Sequence, residues 1–274
     1  MPDQTDARSM KDAAKRSWGA FAEQYAKDVT PQLEPLYQVI VDRAGPKPGE
    51  RVLDIGSGPG RPALDIAKRV APGGHVTGFD LAPRMVSLAR ETAGERGLEN
   101  VEFLEMDMEA MGFPDCCFDL AVSNYALFMR PEVIPSVRRL LKPGGRLVVT
   151  AWGDEQAMLA HSLAANVMGK YMPTNSPPPP RDNYALGRKG ALAKALRDAG
   201  FTRVHTEQAS FAYRFSTPGQ YADYMWDLLG RSRPPEVQAH VGEIKAELSA
   251  AVAPFASRDR VEVPFAAVLG IGYR

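Results

Sequence analysis

Short apolar stretches alternate with stretches of helical periodicity between about residues 46 and 152. The apolar stretches predict strands at residues 52–55, 75–80, 101–105 and 118–124, and a fifth strand that ends near Thr150. This alternation is typical of an α/β fold in which helices cover both faces of a parallel, doubly wound sheet. Ligands of such sheets bind outside the carboxyl ends of the strands, where the strand order reverses.

The chain before this core is mainly helical. Residues 1–45 are predicted to form an N-terminal helical cap of two helices, the first of which begins near Lys11. The aromatic face of this first helix consists of Trp18, Phe21 and Tyr25. Two interpretations of this face stay open: it covers the hydrophobic core, or it forms a lid over a ligand.

The chain after the core, residues 153–274, is predicted to complete the same domain with its last strands and with helical lid insertions at about 153–187 and 216–255. The first insertion contains the run Pro177–Pro180, which fits either a surface connector or one wall of a substrate cleft. The second insertion contains large side chains that fit either core packing or an apolar substrate pocket, namely Tyr221, Tyr224, Met225 and Trp226.

A glycine-rich turn follows the first predicted strand. Residues 52–60 read V-L-D-I-G-S-G-P-G, so that the acid Asp54 lies two residues before Gly56. Glycines at alternate positions allow backbone angles that a Cβ forbids, and they let a ligand lie against the main chain. The spacing differs from the G-x-G-x-x-G of dinucleotide sites. An acid at this position suits a ligand that carries an ammonium group.

Further elements follow the glycine turn at the spacing of βα units. They are Asp80-Leu81-Ala82-Pro83-Arg84-Met85, Met106-Asp107-Met108, the fourth strand with its end at Ser123-Asn124, and Leu140-Leu141-Lys142-Pro143-Gly144-Gly145. Over about residues 15–152 the chain thereby resembles the class I S-adenosylmethionine (SAM)-dependent methyltransferases. Within them it is most similar to the ubiquinone/menaquinone C-methyltransferase-like branch, which acts mostly on small molecules. Ala82 replaces the usual Ser of that motif, which weakens a helix N-cap.

The resemblance implies a Rossmann-like sheet of seven strands, mostly parallel, whose last strand is antiparallel. It implies that the glycine turn lies against the amino-acid end of SAM, that Asp80 accepts from the ribose hydroxyls, and that Asp107 binds the adenine amino group. The residues predicted to contact the cofactor are Asp54, Gly56, Ser57, Gly58, Gly60, Asp80, Leu81, Met85, Asp107, Met108 and Asn124.

The function implied by the resemblance is methyl transfer from SAM, which leaves as S-adenosylhomocysteine (SAH), to oxygen, nitrogen or carbon of a small molecule. The aromatic and proline content favours an apolar or aromatic acceptor. Two alternatives stay open: a SAM-binding enzyme with other chemistry, such as a cyclase, and a nicotinamide-dependent oxidoreductase, which the glycine spacing opposes. Alignment of the reactants alone accelerates such a transfer, so no catalytic group is obligatory. Tyr25 and His161 are the candidate catalytic residues, His161 as a base.

The charge balance bears on the partners. The chain has 33 Lys and Arg and 33 Asp and Glu, so it lacks the basic excess of nucleic-acid-binding proteins. It has neither a signal-peptide core nor a membrane-length apolar run, so we expect a cytoplasmic protein that does not contact membranes. No histidine pair has metal-ligand spacing, and no metal is expected. The sequence leaves the oligomeric state open, and a homodimer is one possibility.

Overall fold

The computed structural model describes residues 4–174, 182–231 and 233–274, so the run Pro177–Pro180 lies outside the described residues. The strands are β1 Arg51–Ile55, β2 His75–Asp80, β3 Val101–Glu105, β4 Phe118–Asn124, β5 Leu141–Trp152, β6 Thr202–Phe215 and β7 Val261–Tyr273. The α-helices are α1 Gln4–Gln24, α2 Thr30–Gln32, α3 Glu34–Ala44, α4 Ala63–Val70, α5 Pro83–Glu95, α6 Ile134–Leu140, α7 Leu159–Gly169, α8 Ala191–Asp198, α9 Pro218–Met225, α10 Pro235–Gln238 and α11 Val241–Ala251. Turns of π-helix at Tyr25–Val29 and Trp226–Gly230 continue α1 and α9.

The seven strands form one sheet in the order β3-β2-β1-β4-β5-β7-β6. The first five strands pair in parallel, with Asp54 of β1 opposite Gly78 of β2 on one side and Val122 of β4 on the other. The last strand, β7, is antiparallel, so the predicted fold class is confirmed. The strand order reverses between β1 and β4, and the carboxyl ends of these two strands therefore border the place where ligands of such sheets bind.

The interior strand β1 is buried on both faces, which explains why its apolar residues do not alternate with exposed polar ones. Its residues Val52, Leu53 and Ile55 have no exposed surface. The helix α4 buries Leu64 and Ile66 on its inner side in the same way. The turn between β1 and α4 is therefore anchored at both ends by packed elements.

The last two strands are the longest of the sheet, β6 over Thr202–Phe215 and β7 over Val261–Tyr273. The strand β7 runs through Pro264 without a turn. Pro264 is exposed, although β7 lies between β5 and β6 in the sheet.

The N-terminal helix α1 begins at Gln4, earlier than the predicted start near Lys11. The residues before Lys11 have no apolar periodicity, so the pattern gave no signal for them. Further along, α1 packs against the beginning of α5 in a small hydrophobic cluster formed by Trp18, Ala22, Tyr25, Ala82, Met85 and Leu88. The predicted aromatic face therefore covers part of the core, and its use as a lid stays a prediction.

The chain groups into two compact units. The first unit comprises Met1–Ala151, Lys189–Glu207 and Val268–Arg274, and the second comprises Trp152–Arg188 and Gln208–Ala267. The predicted division into a cap, a core and a region with lid insertions stays a prediction. No helix in the described part of the chain combines the length and the hydropathy of a membrane span.

The second unit has a core of aromatic side chains. The rings of Tyr213 and Phe265 stack with their centroids 4.1 Å apart. The buried Tyr221 hydroxyl donates to the carbonyl of Ala160 at 2.7 Å. The large side chains singled out in the sequence, Tyr221, Tyr224, Met225 and Trp226, are all buried, so they serve core packing. Their use as a substrate pocket stays a prediction.

Candidate functional site

The glycine turn after β1 has left-handed backbone angles at three of its glycines. The φ angles are +69° at Gly56, +51° at Gly58 and +106° at Gly60, which a residue with a Cβ rarely adopts. A Cβ on Gly56 would lie 2.3 Å from the Cβ of Ala126, so this glycine lets the loop after β4 pack closely. A Cβ on Gly58 would meet no atom within 4 Å, so open space adjoins this part of the turn.

Two polar side chains at this turn each have a buried oxygen without a hydrogen-bond partner among the described residues. Asp54 is fully buried, and its Oδ2 accepts from the backbone N–H of Ala63 at 3.1 Å, at the start of α4. Its Oδ1 has no partner, and neither has the Oγ of Ser57. Burial raises the pKa of Asp54 to about 7, assisted by the charge of Asp80 and opposed by the Ala63 N–H. A cation next to Oδ1 would stabilise the ionised carboxylate.

Asp80, at the end of β2, ties the glycine turn to the next βα connection. Its Oδ2 accepts from the N–H of Gly58 at 3.0 Å, and its Oδ1 accepts from the N–H of Ala82 at 2.9 Å. Burial raises the pKa of Asp80, although these backbone donors oppose the shift. Each carboxylate oxygen can accept more than one hydrogen bond, so both oxygens keep capacity for a ligand hydroxyl.

Asp107, after β3, is held by its own turn and by α1. Its Oδ1 accepts from the N–H of Glu109 at 2.9 Å, and its Oδ2 accepts from Lys11 Nζ at 2.7 Å. Lys11 also pairs with Glu109 at 2.7 Å. Burial raises the pKa of Asp107, but the hydrogen bond and charge of Lys11 outweigh it, so that the pKa lies below its ordinary value. The carboxylate expected to meet adenine therefore already has a lysine partner.

The end of β4 is fastened to β1 and β5 by side-chain hydrogen bonds. The Thr150 hydroxyl donates to Asn124 Oδ1 at 2.8 Å and accepts from the N–H of Tyr125 at 3.1 Å. The Ser123 hydroxyl donates to the carbonyl of Ile55 at 3.0 Å. The loop after β4 is thus fixed beside the glycine turn.

The predicted cofactor residues follow the carboxyl ends of β1 to β4, which are parallel neighbours, and so share one edge of the sheet. Direct contacts join several of them: Asp80 binds Gly58, and the carbonyl of Asp80 accepts from the N–H of Met106, next to Asp107. Met85 is buried under α1, whereas Leu81 and Met108 are half-buried. That these residues contact a cofactor stays a prediction.

The first catalytic candidate, Tyr25, belongs to the same compact unit as the glycine turn. Its hydroxyl shares a hydrogen bond with that of Tyr37. Burial raises the pKa of Tyr25 to about 12, and the charge of Asp80 adds to the shift. The phenol is therefore protonated at neutral pH, where it serves as a hydrogen-bond donor and not as a base.

The second candidate, His161, lies on α7 in the other compact unit. It is only 2% exposed, and its ring centroid lies 4.7 Å from that of Trp152 and 5.6 Å from that of Tyr213. Its Nδ1 has no hydrogen-bond partner among the described residues. Burial lowers the pKa of His161 to about 3, so the imidazole is neutral at physiological pH.

Two residues at this edge of the sheet, Lys11 and Tyr125, were not among those predicted from the sequence. Lys11 carried no signal because its partners, Asp107 and Glu109, lie about a hundred positions away. Tyr125 directly follows the end of a predicted strand, and this position could have identified it as a residue of the site. In the described part of the chain no group of three or more His, Cys, Asp and Glu side chains is placed to hold a metal ion.

Comparison with known proteins identifies the family. Residues 46–185, about half of the chain, match the family model described as a methyltransferase domain. The chain belongs to the class I SAM-dependent methyltransferases. SAM is therefore its cofactor. The resemblance that the sequence motifs predicted is confirmed.

Three relatives of this methyltransferase illustrate the breadth of the match. The aklanonic acid methyltransferase of Streptomyces sp. (strain C5) is 40% identical over 43% of this chain, which spans 54% of that relative. The nocamycin O-methyltransferase of Saccharothrix syringae is 30% identical over 70% of this chain and 73% of the relative. The ubiquinone/menaquinone biosynthesis C-methyltransferase of Pseudomonas entomophila (strain L48) is 37% identical over 60% of this chain and 70% of the relative. The chain thus spans about half the length of the first of these relatives.

Proposed function

We propose that this methyltransferase transfers the methyl group of SAM to an oxygen, nitrogen or carbon atom of a small apolar or aromatic molecule. Asp54 is the main support for SAM binding at the glycine turn. Its Oδ1 is buried without a partner among the described residues, and its pKa is raised to about 7. The ammonium group of SAM would compensate for this buried charge. The open space at Gly58 leaves room for the amino-acid end of SAM.

The remaining cofactor contacts follow from the same edge of the sheet. The turn residues Gly56, Ser57, Gly58 and Gly60 would lie against the amino-acid end. Asp80 would accept from the ribose hydroxyls with its unused lone pairs. The adenine would lie among Leu81, Met85, Asp107 and Met108, and Asn124 would border the cofactor from the end of β4.

Bound SAM would supply an activated methyl group. A lone pair of the acceptor would form the new bond to the methyl carbon as the carbon–sulfur bond breaks and sulfur keeps its electrons in SAH. Any proton on the acceptor atom would leave to a base or to solvent. The protein's task is to align the acceptor with this group, which is worth up to about 7–11 kcal/mol in favourable cases.

The acceptor class is supported by the names of the relatives, which refer to aklanonic acid, nocamycin and the ubiquinone/menaquinone pathway. These are small organic molecules or their biosynthesis, so they favour a small acceptor over a macromolecule.

The two catalytic candidates keep different proposed roles. Tyr25, with its pKa of about 12, would donate a hydrogen bond near the methyl group. His161 is neutral at pH 7 and could accept a proton, but its pKa of about 3 makes it a weak base. An acceptor that ionises by itself needs neither group as a base.

Labelled methyl transfer tests the proposal. The protein is incubated with SAM carrying an isotopically labelled methyl group and with aklanonic acid, 1,4-naphthohydroquinone or 4-hydroxybenzoic acid, and the products are analysed by mass spectrometry. Calorimetry with SAH and with NAD is run in parallel. We expect SAH binding and a labelled product with at least one acceptor.

The outcomes separate the alternatives. SAH binding with no labelled product from any of the three compounds would contradict the proposed acceptor class. An altered but unlabelled product would indicate other chemistry, such as cyclisation. NAD binding without SAH binding would contradict the assigned cofactor contacts. We also propose that the protein does not bind nucleic acid, which DNA and RNA binding assays check. A homodimeric state is a further proposal, which light scattering checks.

A further inference from the structure

Tyr125 has an unusual backbone conformation. Three described residues other than glycine have positive φ angles: Cys116, Tyr125 and Arg203. Tyr125, with φ of +52°, directly follows β4, at the edge of the sheet that carries the glycine turn. A bulky residue in this region of φ is strained and persists only where its surroundings impose the conformation.

The neighbours of Tyr125 impose this conformation from both sides. Its N–H donates to the Thr150 hydroxyl, which in turn donates to the side chain of Asn124. On the other side, the Cβ of Ala126 fills the space that a side chain on Gly56 would occupy. The loop is therefore fixed within one residue of the turn that we assign to the amino-acid end of SAM.

The side chain of Tyr125 is half-buried, with its hydroxyl inserted into the protein. The ring packs edge-on against Phe128, with centroids 6.3 Å apart and an interplanar angle of 84°. This contact fixes the plane of the ring, while the residue as a whole keeps part of its surface exposed. A fixed aromatic ring offers a flat apolar surface on which an aromatic ligand can stack.

A structural role alone does not account for a tyrosine here. Glycine would adopt this φ without strain and would keep the N–H that Thr150 accepts. Strained residues of this kind concentrate where a side chain must be held in one direction for a ligand. We propose that Tyr125 presents its ring to the methyl acceptor and holds the acceptor beside the methyl group of SAM. This inference rests on the proposed function, and it specifies an acceptor with a flat, apolar ring next to the accepting atom.

Two substitutions test the inference. Tyr125→Gly removes the ring and relieves the strain, whereas Tyr125→Phe keeps the ring and removes the hydroxyl. Cys116→Gly is the matched control, because Cys116 has φ of +55° and precedes β4, at the opposite edge of the sheet. For each protein we measure the melting temperature, the Kd for SAH, and kcat and KM for whichever of aklanonic acid, 1,4-naphthohydroquinone and 4-hydroxybenzoic acid the parent methylates fastest.

We expect Tyr125→Gly to lower the melting temperature only slightly, since relief of the strain offsets part of the lost contact with Phe128. Its Kd for SAH should stay within about twofold, while kcat/KM for the acceptor falls by about tenfold or more. Tyr125→Phe should keep kcat/KM within about threefold, because the ring remains. Cys116→Gly should keep the parent's kcat/KM.

The inference is overturned if Tyr125→Gly retains the parent's kcat/KM, or if it loses stability and SAH affinity as much as transfer. The first result would make the ring irrelevant to the acceptor, and the second would make it a structural element of the loop. Failure of the proposed function has a different signature, because the parent itself would then bind no SAH or label no acceptor, and the inference would fall with it.

Discussion

Around the glycine turn, buried polar atoms are held by backbone groups and left with spare capacity, whereas in the second compact unit aromatic rings pack on one another. Asp54 and Asp80 each accept backbone N–H groups at the turn. His161 in the aromatic core has ring neighbours and no partner for its Nδ1 among the described residues. The first region keeps acceptor atoms free of protein partners, as the proposed contacts with a charged, polar ligand require. The second is organised by contact between rings.

The two regions also differ in how far a sequence can reveal them. Every position of the turn has its own backbone requirement, so the residue types recur in a fixed order. A packed aromatic core is satisfied by many combinations of rings of similar volume, so no order of residues identifies it. Substitutions in each region measure whether the two are as distinct in function as they are in construction.

The largest effect is expected from Gly58→Ala. The added methyl group meets no protein atom within 4 Å, so the fold should bear only the strain of a Cβ at φ of +51°, about 1–2 kcal/mol. The methyl group would project into the space where the ligand lies, so we expect the Kd for SAH to rise by about 100-fold or more. Calorimetry with SAH and a thermal melt measure the two quantities.

Gly97→Ala is the control for Gly58→Ala. Gly97 has a similar φ of +63° and the same open surroundings, but it lies between α5 and β3, away from the turn. The two variants should lose similar stability, and only the first should lose SAH affinity. Equal SAH affinity in both would show that the ligand does not approach the main chain at Gly58.

Asp80→Ala should have the next largest effect. The change removes the proposed acceptor of the ribose hydroxyls together with the acceptor of the Gly58 and Ala82 N–H groups. We expect SAH binding to weaken by roughly 1–3 kcal/mol, or about 5- to 150-fold. Asp119→Ala is the control, since Asp119 also accepts a backbone N–H, from Arg51 at 2.9 Å, but at the start of β4. An equal loss of SAH affinity in both variants would mean that Asp80 acts only through general stability.

The pH dependence of SAH binding tests Asp54. Its pKa is raised to about 7 in the free protein, so the carboxyl group takes up a proton as the pH falls through about 7. The ammonium group of SAH favours the ionised form, so binding must release this proton at lower pH and weakens there. We expect the Kd at about pH 6 to be about tenfold higher than at about pH 8.

The variant Asp54→Asn serves as the control for this profile. It cannot ionise, so its Kd for SAH should be higher than that of the parent at neutral pH and should change little with pH over the same range. A parent profile that is flat, or a variant profile that keeps the full dependence, would assign the titration to another group. Either result would remove the main support for an ammonium group at Asp54.

The sequence predicted the parts of the site whose residues lie close together in the chain. Asp54, Gly56 and Gly58 share one turn, and their spacing alone indicates a ligand with an ammonium group. The contact of Lys11 with Asp107 depends on how α1 docks on β3, which no local pattern reports. The strain at Tyr125 depends on Ala126 meeting Gly56, about seventy positions earlier in the chain. The mostly parallel sheet and its antiparallel last strand followed from the alternation of elements and from the family, whereas the unbroken course of β7 through Pro264 did not.

The smallest effect is expected at His161, in the aromatic core. Burial holds its pKa at about 3 in the folded protein, below the value of about 6.5 of an unfolded chain, so the unfolded state takes up a proton first as the pH falls. The stability that depends on this group is present above about pH 6.5 and is lost progressively below it, by about 1 kcal/mol at about pH 6. The change His161→Phe should remove this part of the pH dependence of unfolding, which chemical denaturation between about pH 5 and pH 8 measures.

The same variant separates the two regions, because His161→Phe replaces a polar ring by an apolar one among aromatic neighbours and should leave SAH affinity unchanged. Removing a buried nitrogen that lacks a partner among the described residues should keep or raise stability at about pH 8. A fall in SAH affinity would contradict the separation between a polar cofactor region and an aromatic one. If the variant instead keeps its stability and SAH affinity but loses methyl transfer, the imidazole acts in the reaction, since packing alone favours its replacement.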